Sequence, residues 1–132
     1  MADAVNTNVI YSGQRIYVVR FTNLSDGTGE SAVVKVDRSA LTGPAGVEPT
    51  NLIIQEMAWN IQGFTSVKIA WDHTTDDTAA ILSGNGYRNY DGTNGLVDPL
   101  SSGGTGDILF TTAGTTSGNT YDITLVLRLQ AP

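Results

Sequence analysis

Apolar and polar residues alternate with a period of two along most of the chain. In the stretch QRIYVVRFTNL the two faces are Ile16, Val18 and Arg20 on one side and Tyr17, Val19 and Phe21 on the other. Both faces are mostly apolar, which is typical of a strand that is covered on two sides. The turn-forming SDGTG at 25–29 follows, and ESAVVKVDR then predicts a second strand, so we expect these two strands to form a hairpin.

Two further stretches show the clearest strand patterns. In FTSVKIAWD the inward-facing residues are Val67, Ile69 and Trp71. In TYDITLVLRLQ one face carries five apolar residues: Tyr121, Ile123, Leu125, Leu127 and Leu129. TAAILSG and DILFTTAG predict shorter strands, whereas residues 84–106 predict mainly loop. We expect the strand over residues 120–130 to be central to the core.

The segment LIIQEMAWNIQG is ambiguous. Its apolar residues fit a helix through Ile54, Met57, Ala58 and Ile61, and they fit a strand through Ile53, Met57, Trp59 and Ile61, with Gln55 interrupting. The β-branched start and the glycine that follows favour a strand.

The whole pattern amounts to about eight strands separated by turn signals. This predicts an all-β protein, a β-sandwich or a jelly-roll-like fold, with a small barrel as a further possibility. The length of 132 residues suits a single domain, which we assign to residues 9–132. The polar MADAVNTN has little reason to fold alone, so residues 1–8 are predicted to form a flexible N-terminal arm.

Composition excludes several classes of function. The net charge is −6 and no basic run occurs, so we expect no nucleic-acid partner. The chain has no cysteine, which excludes disulfides and zinc–thiolate sites. No apolar run approaches the roughly 20 residues that span a membrane, so we expect no membrane partner.

The stretch WDHTTDD contains the only histidine, His73, beside Asp72, Asp76 and Asp77. Such a cluster suggests a metal site or an acid and base pair. However, the spacing does not fit a calcium-binding EF-hand loop, and a zinc site would lack further histidine or cysteine ligands. No G-x-S-x-G motif accompanies the histidine. We therefore interpret this stretch as a polar turn and expect no bound metal.

The remaining candidates for chemistry are weaker. Asp91, Asn94 and Asp98 could form a calcium site, but ordinary turns are favoured. The GGTG at 103–106 leads into a strand, not into the helix that a phosphate-binding loop needs. Glycosidase chemistry needs a facing pair of carboxylates, and nothing in the sequence pairs the three glutamates, which are Glu30, Glu48 and Glu56. We expect no catalytic residue and no cofactor, and hence no enzyme.

The chain resembles small virion proteins of tailed bacteriophages that decorate or cement the capsid. The resemblance extends from about Val33 to Leu129, through segments such as EPTNLIIQEMAWNIQGF, VKIAWDHTTDD and YDITLVLRL. It implies a non-enzymatic β-rich protein that binds the major capsid protein lattice, and it carries no functional residues with it. Because no signal peptide is visible, we expect assembly onto the virion surface in the host cytoplasm.

Partner contacts are predicted in two places. The N-terminal arm, with Ala2, Asp3, Val5 and Asn6, could add a strand to the sheet edge of a neighbouring subunit. A second copy of the chain is a further possible partner. Tyr87 and Tyr90 lie in the predicted loop and could contact a partner there.

The alternative function is a β-sandwich module that binds a glycan or the host surface from a head fibre or a tail. In that case Tyr87 and Tyr90 would form an aromatic platform for a sugar.

Overall fold

The computed structural model describes residues 4–27, 29–43, 46–49, 51–73, 76–90, 95–97, 106–114 and 116–130. Within these ranges the chain is nearly all β, with ten strands and one short 3-10 helix at Arg38–Ala40. The strands are β1 (Ala4–Ser12), β2 (Ile16–Leu24), β3 (Val33–Val36), β4 (Asn51–Gln62), β5 (Ser66–Trp71), β6 (Asp77–Leu82), β7 (Asn85–Asn89), β8 (Leu96–Val97), β9 (Ile108–Ala113) and β10 (Thr120–Gln130).

The strands form two antiparallel sheets. The first sheet has six strands in the order β1-β2-β10-β4-β7, with β8 also pairing with β4. The second sheet has four strands in the order β3-β9-β5-β6. Large buried side chains from both sheets meet between them, for example Phe21 from β2 against Phe110 from β9, with ring centroids 5.1 Å apart. The predicted all-β sandwich is confirmed, with ten strands where about eight were expected.

β10 lies in the middle of the first sheet, between β2 and β4. Its side chains alternate between buried and partly exposed along almost the whole strand, and the five apolar residues predicted to face inward are all buried. One face of this sheet points toward the core. A slip of β10 by one residue would move its whole apolar face to the solvent side, so the register of β10 with β2 and β4 is strongly specified.

A β-bulge explains the ambiguous pattern of β4. Pairing with β10 shifts between Glu56, opposite Val126, and Ile54, opposite Leu127, so Gln55 is the extra residue. Because a bulge reverses the side on which later residues point, Ile54 and Met57 both face the core although they are three positions apart. The prediction of a strand is confirmed, but the inward residue before the bulge is Ile54 instead of Ile53.

Two local predictions were wrong. The strand at Val33–Val36 does not form a hairpin with β2; it pairs with β9 in the opposite sheet. The segment between them carries Glu30, whose backbone bonds to Thr112 of β9, and this contact takes the chain across to the second sheet. The second error lies in the predicted loop over residues 84–106, which contains β7 and β8. Polar, glycine-containing β7 is exposed along its length and therefore lacks an apolar strand pattern.

The predicted boundary between arm and domain falls inside β1. Residues 1–3 lie outside the described residues, whereas Ala4 to Asn8 pair with β2 from Leu24 to Arg20. A tight turn joins the two strands, where the Gly13 amide donates to the Ile16 carbonyl at 2.9 Å. Main-chain pairing holds this segment although its side chains from Val5 onward are exposed, and side-chain pattern alone does not reveal such pairing.

Candidate functional site

In the histidine cluster, Asp72, His73 and Asp76 lie between β5 and β6, and Asp77 begins β6. The His73 side chain is fully buried, and its Nε2 lies 3.6 Å from an oxygen of Asp77. The His73 amide donates to the carboxylate of Asp76 at 3.1 Å, as a capping side chain does in a turn. Among the described residues, no group of three or more histidine, cysteine, aspartate or glutamate side chains could hold a metal ion. Residues 74–75 of this stretch lie outside the described part of the chain.

The three glutamates lie apart, each with its own partner. Glu48 pairs with Arg38 at 2.7 Å, and Glu56 accepts a hydrogen bond from the Tyr87 hydroxyl. Glu30 pairs with Lys35. The structure thus brings no two of the glutamates together as a facing acid and base. The candidate calcium ligands Asp91, Asn94 and Asp98, and residues 103–105 of the GGTG segment, fall outside the described residues.

Glu30 and Lys35 form a buried ion pair that the sequence did not indicate. Both side chains are 6% exposed. The same carboxylate accepts hydrogen bonds from the Tyr121 hydroxyl and from the Asn23 amide. These contacts join β2 and β10 of the first sheet to the segment that pairs with β9 of the second. Removal of one partner from this pair would be costly, because the other charge would be left buried and unpaired.

A broad surface is formed by the side of the first sheet that points away from the second, here called the outer face. Cross-strand pairing defines its rows: Asn8, Arg20, Thr124, Ala58 and Tyr87 form one, and Asn6, Thr22, Asp122, Asn60 and Asn85 form the next. Directly paired residues of antiparallel strands point to the same side, so each row runs across all five strands. Most of these side chains are small and neutral.

Arg20 and Asp122 form an ion pair on the outer face. Arg20 Nε donates to Asp122 at 2.9 Å and a second guanidinium nitrogen donates at 2.6 Å, in a two-pronged arrangement. This hydrogen bond lowers the pKa of the Asp122 carboxyl, and the carboxylate in turn raises the pKa of Arg20. The pair borders a depression of about 280 Å³ that is also lined by Ala58, Asn60 and Thr124.

An apolar stripe adjoins this polar area. Tyr11 of β1 is opposite Val18 of β2, and Val18 is opposite Val126 of β10. The tyrosine is exposed and the two valines are half-buried. The stripe accounts for the second apolar face that the sequence of β2 showed. In the structure that face belongs to the outer surface of the sandwich, and the core lies on the other side of the strand.

The six predicted partner contacts are spread over the molecule. Ala2 and Asp3 lie outside the described residues. Asn6 and Tyr87 lie on the outer face, near its opposite edges. Val5 points to the other side of β1 and is 46% exposed. Tyr90 is partly buried against the core, so it does not form a platform with exposed Tyr87.

β1 provides a second exposed surface. Among the strands that the structure describes, it is the first in the sheet order and has one neighbour, β2. The strand has nine residues, AVNTNVIYS, none of them charged. Its exposed apolar side chains include Val5, Val9, Ile10 and Tyr11. Natural sheets usually protect an edge strand with charges, proline or short length, and β1 lacks all three.

Comparison with known proteins finds no matching protein family, curated protein or solved structure. Within the described ranges, no helix has the length and apolar character to cross a membrane.

Proposed function

We propose that the chain is a non-enzymatic structural protein of a tailed-phage virion, which binds the major capsid lattice and stabilises it as a decoration or cement protein. The observation that carries this proposal is the outer face, where the stripe of Tyr11, Val18 and Val126 lies beside an area of mostly small polar residues. The resemblance of the sequence to capsid decoration proteins supplies the identity of the partner.

The outer face combines apolar and polar side chains, as protein interfaces do. Apolar and aromatic side chains contribute buried area, while surrounding polar groups select the partner through hydrogen bonds. Arg20 and Asp122 neutralise each other on this face, which lowers the cost of covering these two charges. A sheet five strands wide also offers a rigid surface, so little conformational entropy is lost on binding. Binding to the mature lattice alone would stabilise that lattice by mass action.

The predicted contact of the N-terminal segment fits this surface in part. Asn6 lies on the outer face and lines a second depression of about 270 Å³ with Asn8, Arg20 and Thr22. Ala2 and Asp3 precede it in sequence. A lattice subunit that covers the outer face would therefore contact the β1 side of the sheet as well.

The test is co-sedimentation of purified protein with mature capsids that lack it. Val126→Lys replaces an apolar contact of the stripe with a charged side chain opposite Glu56, and we expect capsid affinity to fall at least about tenfold, because apolar contact area is lost and an added charge must be desolvated. Ile81→Lys is the matched control, since Ile81 is 66% exposed on β6 of the other sheet. If Val126→Lys keeps its melting temperature and binds like the parent, the outer face does not bind the lattice.

One observation favours a second candidate, the binding of a host glycan. Tyr87 lies next to Ala58, which lines the depression beside Arg20 and Asp122. An aromatic ring beside paired polar groups is a common arrangement for holding a sugar. A glycan array would detect such binding, and Tyr87→Ala should abolish it. Tyr90→Ala should retain it, because Tyr90 is packed against the core. An array without signal for the parent protein removes this candidate.

A further inference from the structure

The sequence of β1 is symmetric. Residues 5–9 read Val-Asn-Thr-Asn-Val in both directions, with Thr7 at the centre. An antiparallel partner runs in the opposite direction, so a second copy of this strand would present the same residues in the same order. We propose that the free edge of β1 pairs with β1 of a second copy of the chain, around a two-fold axis at Thr7.

The register follows from the sequence. With Thr7 opposite Thr7 of the second copy, Val5 faces Val9 and Asn6 faces Asn8. Each valine pair would lie on the side toward the second sheet, since Val9 is opposite buried Val19 of β2. Asn6 and Asn8 would pair on the outer face. Such a contact uses the same surface on both copies, as the interface of a two-fold dimer must.

Exposure of the two valines supports this pairing. Val5 and Val9 are 46% and 47% exposed, although they point to the side of the sheet where the core lies. The rest of the molecule therefore covers only about half of each valine. Pairing would place each beside a valine of the other copy, and a β-branched cross-strand pair stabilises an antiparallel sheet.

The other edge strands carry the protection that β1 lacks. In the sheet order the remaining ends are β7, β3 and β6. β7 has five residues and includes Arg88, and β3 has four and includes Lys35. β6 has six residues and begins at Asp77. Only β1, among these described edges, combines nine residues with no charge and no proline.

The structure also limits the length of the contact. Pairing of β1 with β2 is irregular between Val9 and Tyr11, so Ile10 forms a bulge where the symmetric segment ends. Five regularly paired residues on each copy would form about four to six main-chain hydrogen bonds, depending on which amides point outward. A contact of this length buries a few hundred Å² per copy, less than the roughly 800 Å² of a stable interface. We therefore expect a weak dimer in solution, with micromolar or weaker affinity.

On a lattice such a dimer would gain from effective concentration. Two copies held side by side pair without the translational cost of meeting in solution. Joining the edges would also make the two outer faces one continuous surface, because the sheet would run from one copy into the other. The proposal does not depend on the capsid, since the contact involves only this chain.

The first experiment tests the register through charge. Thr7→Lys and Thr7→Glu each place like charges opposite each other at the two-fold axis, so neither variant alone should dimerise. A mixture of the two should associate, because position 7 faces position 7. Analytical ultracentrifugation over about 10 µM to 1 mM covers the expected range of affinity. Val34→Lys is the control, since Val34 is 50% exposed on the edge strand β3. It should dimerise like the parent.

The second experiment traps the contact covalently. The chain has no cysteine, so a single cysteine reports one position. Directly opposite residues have Cβ atoms about 4.5–5.5 Å apart, near the distance a disulfide needs. Under mild oxidation Thr7→Cys should give disulfide dimers many times faster than the control Val34→Cys. Equal rates for the two cysteine variants, or no association in the mixture of Thr7→Lys and Thr7→Glu, would overturn the proposal. Loss of capsid binding by Val126→Lys would leave it untouched.

Discussion

β10 and β1 belong to the same sheet and have similar lengths, yet their environments are opposite. β10 has eleven residues with a neighbour on each side, and every second side chain is buried. β1 has nine residues and one neighbouring strand, and its side chains from Val5 to Ser12 are all exposed. The core-side residues of β10 are large and apolar, whereas those of β1 are Val5, Thr7 and Val9.

The difference between β10 and β1 shows that the placement of a strand in a sheet and its contribution to stability have separate causes. Main-chain pairing with β2 suffices to place β1 in the sheet, and packing against the second sheet determines how much stability the strand contributes. Apolar burial contributes about 25 cal/mol for each Å² removed from water. β10 therefore contributes much of the stability of the fold, whereas β1 contributes little.

The largest expected effect is a cavity under β10. Leu125→Ala or Leu127→Ala removes a fully buried side chain, so we expect the free energy of unfolding to fall by about 2–5 kcal/mol. Urea denaturation at low protein concentration measures the loss. Val9→Ala is the matched change on β1, and it should cost less than about 0.5 kcal/mol because Val9 is already exposed. Similar losses at the two strands would contradict the comparison.

A smaller effect is expected at the end of β10 where the buried ion pair lies. Tyr121→Phe deletes the hydroxyl that donates to Glu30 and leaves the ring in place. We expect a loss of about 1.5–3 kcal/mol, because a hydrogen bond to a buried charged group is removed. The control is Tyr87→Phe, which removes a hydroxyl bonded to Glu56 at an exposed site. If the control destabilises the protein as much, burial of Glu30 is not the cause.

The smallest effect concerns acid stability, to which uncharged β1 contributes nothing. The pKa of Asp122 is lowered in the folded protein, chiefly by the hydrogen bond from Arg20. Its contribution is therefore present above the unfolded pKa of about 3.9 and is lost as the pH falls through the lower folded pKa. Urea unfolding between about pH 5 and pH 2 should show a slightly shallower acid decline for Asp122→Asn than for the parent. The change should be small because both side chains are 43% exposed. Identical pH profiles would mean that the pair adds nothing to stability.

The sequence predicted the parts of the fold that depend on local alternation. β5 and β10 were predicted with their inward residues because both strands are regular and half-buried. β4 was assigned as a strand, but its bulge at Gln55 concealed which residues face inward. β3 was placed beside the wrong strand, because the choice between β2 and β9 depends on contacts of Glu30 with residue 112, far along the chain. β7 was missed, since main-chain pairing with β4 holds it and its side chains remain exposed.

The candidate sites were harder to predict, because their contacts join residues that are far apart in the sequence. Arg20 and Asp122 are 102 positions apart, and Glu30 and Tyr121 are 91 apart, so no local spacing indicates either contact. The symmetric sequence of β1 was visible, but it gains meaning only once the strand is known to lie at an edge. The stretch WDHTTDD was interpreted as a polar turn because aspartate side chains commonly accept hydrogen bonds from main-chain amides a few residues away. The hydrogen bond from the His73 amide to Asp76 fits that interpretation.

The central position of β10 has a consequence for the timing of synthesis. Ribosomes make the amino-terminal strands first, and β2 pairs with a strand that lies about a hundred residues later, as the 102-position separation of Arg20 and Asp122 shows. A nascent chain that ends before β10 can form the β1–β2 hairpin. However, β10, which lies between β2 and β4 in the sheet, has not yet been synthesised. We therefore expect the first sheet to form only after β10 has left the ribosome. Until then, the apolar side chains of β2 and β4 remain accessible to chaperones and to neighbouring nascent chains on the same messenger RNA.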